Sequence, residues 1–192
     1  KIDTNIFVFE NILDSGLSDE LLNARKQSGH HNRIDVNHYS MDLFYKVNKF
    51  WRSKIEQDLL NDYLKEYDIE KGLGYNPSQE VIDSIKEYAR PRWREMFLSY
   101  YSVESSLISE KQVHWDFCDW TFVACLSDDY DGGELYFPRH DVGRRLNKND
   151  VIVFPGGITH PHHIKRLTRG ERNILVGQSL TLPQDHKIEY ND

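Results

Sequence analysis

Two periodicities divide the chain. Between Asp42 and Tyr67, apolar residues recur at Phe50, Trp51, Ile55, Leu59, Leu60, Tyr63, Leu64 and Tyr67, spacings that lay one apolar stripe along a long helix. Gly72-Leu73-Gly74 ends it. Asn76-Pro77-Ser78-Gln79 then predicts a helix start, with Asn as N-cap, Pro in the first helical position and Gln three residues after the cap. Val81, Ile82, Ile85 and Tyr88 follow on one face, and Pro91 stops the helix. A shorter helix is predicted near Leu17 to Arg25, with Ser15 or Ser18 as its cap.

From Arg92 onward the pattern changes to short strands separated by turns. Arg92–Tyr101, Gln112–Asp116, Trp120–Leu126, Glu134–Phe137, Asp150–Phe154 and Asn173–Leu180 are rich in β-branched and aromatic residues. Asp131-Gly132-Gly133, Asn147-Lys148-Asn149 and Pro155-Gly156-Gly157 are turn formers between them. Many short strands at regular spacing predict a sandwich or barrel. The expected class is therefore mainly β with helices (α+β). Residues 1–91 form a mostly helical N-terminal layer against a C-terminal jelly roll over 92–192, and the two make a single domain.

Composition narrows the class of function. With 192 residues, 39% hydrophobic and 29% charged, the chain is long enough for a real core and is neither disordered nor membrane-like. A formal net charge of −7 disfavours nucleic acid as a partner. Two cysteines, Cys118 and Cys125, are too few for a disulfide framework. They are expected to be reduced thiols in a cytoplasmic protein. No apolar run approaches the length that spans a bilayer, and no signal-peptide pattern is visible. The chain opens on Lys1 and not Met, which leaves room for a preceding segment.

Candidate chemistry begins at His114-Trp115-Asp116. In a strand, residues i and i+2 share a face, so an imidazole and a carboxylate would project together toward one metal ion. A later histidine would complete a two-histidine, one-carboxylate facial triad, which leaves open positions on Fe(II). His160, His162 and His163 are the candidates, in Thr159-His160-Pro161-His162-His163. The His-x-Asp pair alone is short enough to arise by chance.

The order of motifs carries more. His114-Trp115-Asp116 is followed by Asp131-Gly132-Gly133-Glu134-Leu135-Tyr136-Phe137-Pro138 and then by Asp150-Val151-Ile152-Val153-Phe154-Pro155. His162 and Gly170-Glu171-Arg172 complete the series. Over residues about 96 to 182 the chain resembles the prolyl-4-hydroxylase-like branch of the Fe(II)/2-oxoglutarate-dependent dioxygenases. The resemblance implies a double-stranded β-helix and iron held by His114, Asp116 and His162, the last chosen because the branch places its distal histidine about ten residues before the arginine. It implies that Arg172 takes the far carboxylate of 2-oxoglutarate, as a guanidinium fork suits a carboxylate. It also implies a tyrosine near the cosubstrate, Tyr101 or Tyr100. Glu104 stands where the branch often has Gly, and the linker from Ser102 to Lys111 is longer than usual. Fe(II), 2-oxoglutarate as cosubstrate and ascorbate as reductant are the implied cofactors. Hydroxylation of a protein side chain or a free amino acid is the implied reaction, with succinate and CO2 as coproducts.

Each assignment has a plainer counterpart. Arg172 could be one more surface cation beside Lys165, Arg166 and Arg169, and either tyrosine could be a core aromatic. Trp115, between two ligands, is expected to pack in the core. Trp120, Tyr136 and Arg139 are candidates for the site entrance. The Ser102–Lys111 loop is either a substrate lid or a surface loop, and His30, His31 and His38 are expected in a solvated stretch. The rival functions are a nucleic-acid demethylase of the same superfamily, suggested by the Arg166 and Arg172 spacing, a cupin-type iron enzyme without 2-oxoglutarate, and a non-catalytic jelly-roll binding protein.

Overall fold

The computed structural model describes residues 2, 5–29, 33–56, 58, 59, 78, 80, 92–103 and 111–180. Strand β1 (Phe7–Phe9) leads into helix α1 (Ser15–Gln27), strand β2 (Arg33–Asp35) and helices α2 (Val36–Tyr39) and α3 (Met41–Lys54). Nine strands follow: β3 (Arg92–Ser102), β4 (Lys111–His114), β5 (Trp120–Cys125), β6 (Tyr130–Gly132), β7 (Leu135–Phe137), β8 (Val142–Arg144), β9 (Val151–Pro155), β10 (His162–Ile164) and β11 (Leu167–Leu180). They form a major sheet ordered β1-β9-β5-β11-β3-β2, with β6 also on β11, and a minor sheet ordered β4-β10-β7-β8. Both are antiparallel throughout. Two such sheets face to face make the jelly roll.

The helices cover the outer face of the major sheet. Helix α1 is capped by Asp14, whose carboxylate accepts from the Leu17 backbone N–H at 3.0 Å, and not by Ser15 or Ser18. An aspartate one residue earlier satisfies the same orphan donor and adds a negative charge at the helix's positive end. Helix α3 starts one residue before Asp42, behind Ser40, whose hydroxyl accepts from the Leu43 N–H. Its buried face, Leu43, Val47, Phe50 and Trp51, joins Met96, Leu98, Phe122 and Leu175 of the sheet in one core. Trp51, Trp93 and Phe122 meet there with ring centroids 5.0–5.2 Å apart. The predicted stripe from Leu60 to Tyr67, the helix after Asn76 and the Ser102–Lys111 linker lie outside the described residues or almost so.

The N-terminal part is not purely helical. Phe7↔Val153 and Arg33↔Ser99 pairings add β1 and β2 to opposite edges of the major sheet. Three-residue strands give too little alternation to read against a helical background, and edge pairing is decided by the partner. Between the sheets a second core gathers Val123, Leu135, Phe137, Ile152, Phe154, Ile174 and Val176. The site opens into this inner layer.

Candidate metal and cosubstrate site

His114 ends β4 and His162 begins β10, and the two residues lie directly opposite each other in the antiparallel register. Asp116 sits two residues past the end of β4, so the pair converges across a strand end and not along a continuous strand. His114 Nε2 is 3.9 Å from Asp116 Oδ1, and His162 Nε2 is 3.6 Å from Asp116 Oδ2. One ligand atom from each of the three residues falls within 4.8 Å of the others. Among the described residues this is the one such group of His, Cys, Asp and Glu.

The backbone fixes both rings. His114 Nδ1 donates to the Gln112 carbonyl at 2.9 Å, and His162 Nδ1 donates to the His160 carbonyl at 3.1 Å. A carbonyl only accepts, so each Nδ1 carries its proton and each Nε2 presents a lone pair to the shared centre. Phe137 and Phe154 hold the His162 ring at centroid distances of 5.8 and 4.7 Å. The carboxylate is oriented in turn, because the Thr121 hydroxyl donates to Asp116 Oδ2 at 2.7 Å. The Cys118 thiol, 3.2 Å from the same hydroxyl, completes a buried relay from sulfur to carboxylate. Burial pushes the Cys118 thiol up to about 11. The other two histidines are engaged elsewhere: His160 stacks on His140 at 4.4 Å, and His163 meets the Tyr136 ring at 5.5 Å. Two imidazoles and one carboxylate suit a borderline divalent ion with open positions, and the donor set fits Fe(II).

The inner face of β11 continues from this group. Residues 172, 174, 176 and 178 share one face, and Ile174, Val176 and Gln178 line the cavity with His114, Asp116 and His162. Arg172, at the far end of that row, is completely buried. Among the described residues none of its three guanidinium nitrogens has a carboxylate or carbonyl partner; the neighbouring Tyr130 hydroxyl donates to the Leu146 carbonyl. The Tyr101 ring lies beside it, 5.7 Å from the guanidinium carbon to the ring centroid. Gly133 permits the approach: a Cβ there would stand 2.9 Å from Leu167 Cδ1 and 3.3 Å from Arg172 Cδ, on a backbone with φ of 66°. A buried cation without a partner is costly, and this one needs an anion that the protein does not supply. The far carboxylate of 2-oxoglutarate has the right charge and shape.

The structure separates the two tyrosines. Tyr101 pairs with Arg172 across the β3–β11 ladder and lines the cavity. Burial raises its pKa against the opposing charge of Arg172, so the phenol stays neutral and able to donate. Tyr100 points to the other face of the sheet, where the Arg25 guanidinium lies 3.7 Å over its ring, so it is withdrawn as a cosubstrate contact. Trp115 is also corrected. It is 47% exposed beside Phe117 and not in the core, because the residue between two inward ligands, just past the end of the edge strand β4, faces solvent. Trp120, Tyr136 and Arg139 do not line the cavity either. Trp120 packs on Phe7, Tyr136 donates to Asp141, and Arg139 reaches the Ile158 carbonyl. Lys165 and Arg169 are tied to Glu134 and to Asp129 and Asp131, unlike Arg172.

No family model matches the chain. It is 27% identical over 123 residues to a PKHD-type hydroxylase of Prochlorococcus marinus, covering 59% of this chain and 55% of that protein. The chain thus spans about half the length of the curated relative it matches. Among solved structures, the viral collagen prolyl hydroxylase of Paramecium bursaria Chlorella virus-1 superposes with a TM-score of 0.64 at 14% identity. That match covers 93% of this chain and 90% of that one. A Pseudomonas putida prolyl-4-hydroxylase superposes with a TM-score of 0.55 at 17% identity, covering 93% of each. The fold is that of the prolyl-4-hydroxylase-like 2-oxoglutarate oxygenases. Within it, Thr121, Phe97 and Gln178 are cavity residues that sequence reasoning missed. The i, i+2 alternation back from Arg172 could have found Gln178.

Proposed function

We propose that this chain is an Fe(II)- and 2-oxoglutarate-dependent hydroxylase. The observation that carries the reading is Arg172, a fully buried guanidinium with no carboxylate partner among the described residues, on the same strand face that lines the His114, Asp116 and His162 cavity. A structural arginine would be paired, and a metal-only enzyme would have no use for it. His114, Asp116 and His162 would hold the iron. When bound, iron supplies the activation of dioxygen, coupled to oxidation of 2-oxoglutarate to succinate and CO2.

The chain's own groups do the rest. Arg172 fixes the far carboxylate and so sets how deep the cosubstrate sits. Tyr101, held neutral, offers a hydroxyl alongside. Val123, Leu135, Ile164, Ile174 and Val176 give the cavity dry walls, which restrict water at the reacting centre. The similar structures named above include a viral collagen prolyl hydroxylase, and a protein side chain is the preferred substrate class, with a free amino acid as the other.

The test is succinate release by the purified protein with Fe(II), ascorbate and 2-oxoglutarate. Iron-dependent succinate is expected, and His114→Ala or Asp116→Ala should abolish it with the circular dichroism spectrum unchanged. Full turnover by Asp116→Ala would remove the carboxylate from the metal site and with it the proposed chemistry.

A further inference from the structure

The inner face of β11 has a direction. It runs from Arg172, completely buried, through Ile174 and Val176 to Gln178, which is half-buried. Six strand residues span about 20 Å, so Arg172 and Gln178 stand at opposite ends of the cavity. The cosubstrate end is set by Arg172. Gln178 lies at the other end, in the row that contains Thr121, whose hydroxyl binds the proposed iron ligand Asp116.

Gln178 is anomalous in this wall. Its neighbours along the strand, Ile174 and Val176, are apolar, and among the described residues its carboxamide has no hydrogen-bond partner. Its two cross-strand neighbours have other commitments. Thr121 donates to Asp116 at 2.7 Å, and Glu95 accepts from Arg33 at 2.9 Å. The half-buried carboxamide thus faces the cavity beside the candidate metal group, with its donors and acceptor open to whatever enters there. At this end, among the described residues, no lysine or arginine lines the cavity. Of the arginines near this level, Arg33 is held by Glu95 and Asp35, and Arg94 donates to the Phe117 carbonyl.

We propose that Gln178 is a specificity-determining residue that pairs with a secondary amide of the substrate, its carbonyl accepting the amide N–H and its NH2 donating to the amide C=O. An ionised carboxylate at that point would find no counter-charge and would face Asp116. The site therefore selects an uncharged amide over a free zwitterionic amino acid. This rests on the hydroxylase reading and narrows its substrate. The amide could belong to a peptide backbone or to a small molecule, and the experiment separates them.

Wild type and Gln178→Leu are compared with three sets of compounds: N-acetylated, C-amidated tripeptides, small N-alkyl amides, and free amino acids. Succinate release gives kcat and KM. Calorimetry under nitrogen, with Mn(II) and 2-oxoglutarate present, gives binding of the stimulating compound. One of the two amide sets is expected to stimulate succinate release and free amino acids are not. Gln178→Leu should raise KM and the calorimetric Kd about tenfold, with kcat changed less than threefold, as for an interaction made equally in ground and transition states. Stimulation by free amino acids as strong as by amides overturns the proposal. So does an unchanged KM in Gln178→Leu, or silence from all three sets in a protein that binds 2-oxoglutarate. If wild type binds no 2-oxoglutarate with metal present, the hydroxylase reading itself fails.

Discussion

Replacing Arg172 by Met should make the ligand-free protein more stable and nearly blind to 2-oxoglutarate. The guanidinium is completely buried and has no carboxylate or carbonyl partner among the described residues. A buried donor left unsatisfied costs about 1–3 kcal/mol. The Tyr101 ring at 5.7 Å returns about 1 kcal/mol through its π face. Met keeps most of the methylene packing and removes the charge, so the net gain is up to about 2 kcal/mol. At this chain length each kcal/mol moves Tm by about 2–4 °C, which predicts a rise of up to about 8 °C in the ligand-free protein. The cosubstrate loses two charge-assisted hydrogen bonds of about 1.5–3 kcal/mol each. At about 1.4 kcal/mol per decade, its Kd should weaken by two to four orders of magnitude. Thermal denaturation with Mn(II), with and without 2-oxoglutarate, reads both quantities. In wild type, 2-oxoglutarate at a hundred times Kd adds about 2.7 kcal/mol, a clear upward shift that the variant should lack. A variant that melts lower than wild type without ligand would mean that Arg172 holds the fold. An equal 2-oxoglutarate shift in both proteins would mean that it does not bind the cosubstrate.

Three other perturbations follow from particular contacts. Thr121→Val should weaken metal binding about tenfold, within the 10–100-fold range for a lost partner of a metal ligand, and Thr121→Ser should restore it; metal titration of the apoprotein distinguishes orientation of Asp116 from simple packing. Gly177→Ala should destabilise the protein by more than 2 kcal/mol, because a Cβ there would stand 2.0 Å from Phe122 Cε1, a ring held between Trp51 and Trp93. Denaturant unfolding measures it, and Phe122→Leu in the same chain should recover part of the loss. The Cys118 thiol, pushed up to about 11 chiefly by burial, favours the protonated folded state. Its contribution to stability is fully present below the ordinary thiol range and is lost as pH rises through about 11. Iodoacetamide should therefore modify Cys118 slowly at pH 8, in a chain with Cys125→Ser, and a midpoint near 9 in the rate–pH profile would contradict the burial.

What was legible in the sequence was whatever depends on alternation or on a fixed interval. The long strands β3, β5, β9 and β11 carry enough alternating residues to be seen, and the ten-residue interval to Arg172 singled out His162. What failed depended on a partner brought from elsewhere. β1 and β2 exist because β9 and β3 offer open edges. Tyr100 and Tyr101 are adjacent and chemically identical, and only the side of the sheet on which the helices pack turns one toward Arg25 and the other toward Arg172. Trp115 is expected in the core because it lies between two ligands, yet just past the end of β4, the edge strand of the minor sheet, the opposite face is solvent and its ring is outward.

A single strand explains why so much of the site could be read from so little. β11 pairs with β3, β5 and β6, so its inner face is fixed from several sides and each inward residue has a set depth. Arg172 is placed at the closed end by the same alternation that places Gln178 at the open end, and the metal group lies beside the stretch between them. The two residues therefore differ in what they can reach. A cosubstrate held by the first must leave room for a substrate read by the second, and a one-residue slip of β11 would turn both out of the cavity at once. On the proposed reading, binding of 2-oxoglutarate and selection of the substrate are two ends of one register, and a substitution that disturbs the β3–β11 pairing should impair both together, whereas Arg172 and Gln178 variants should separate them.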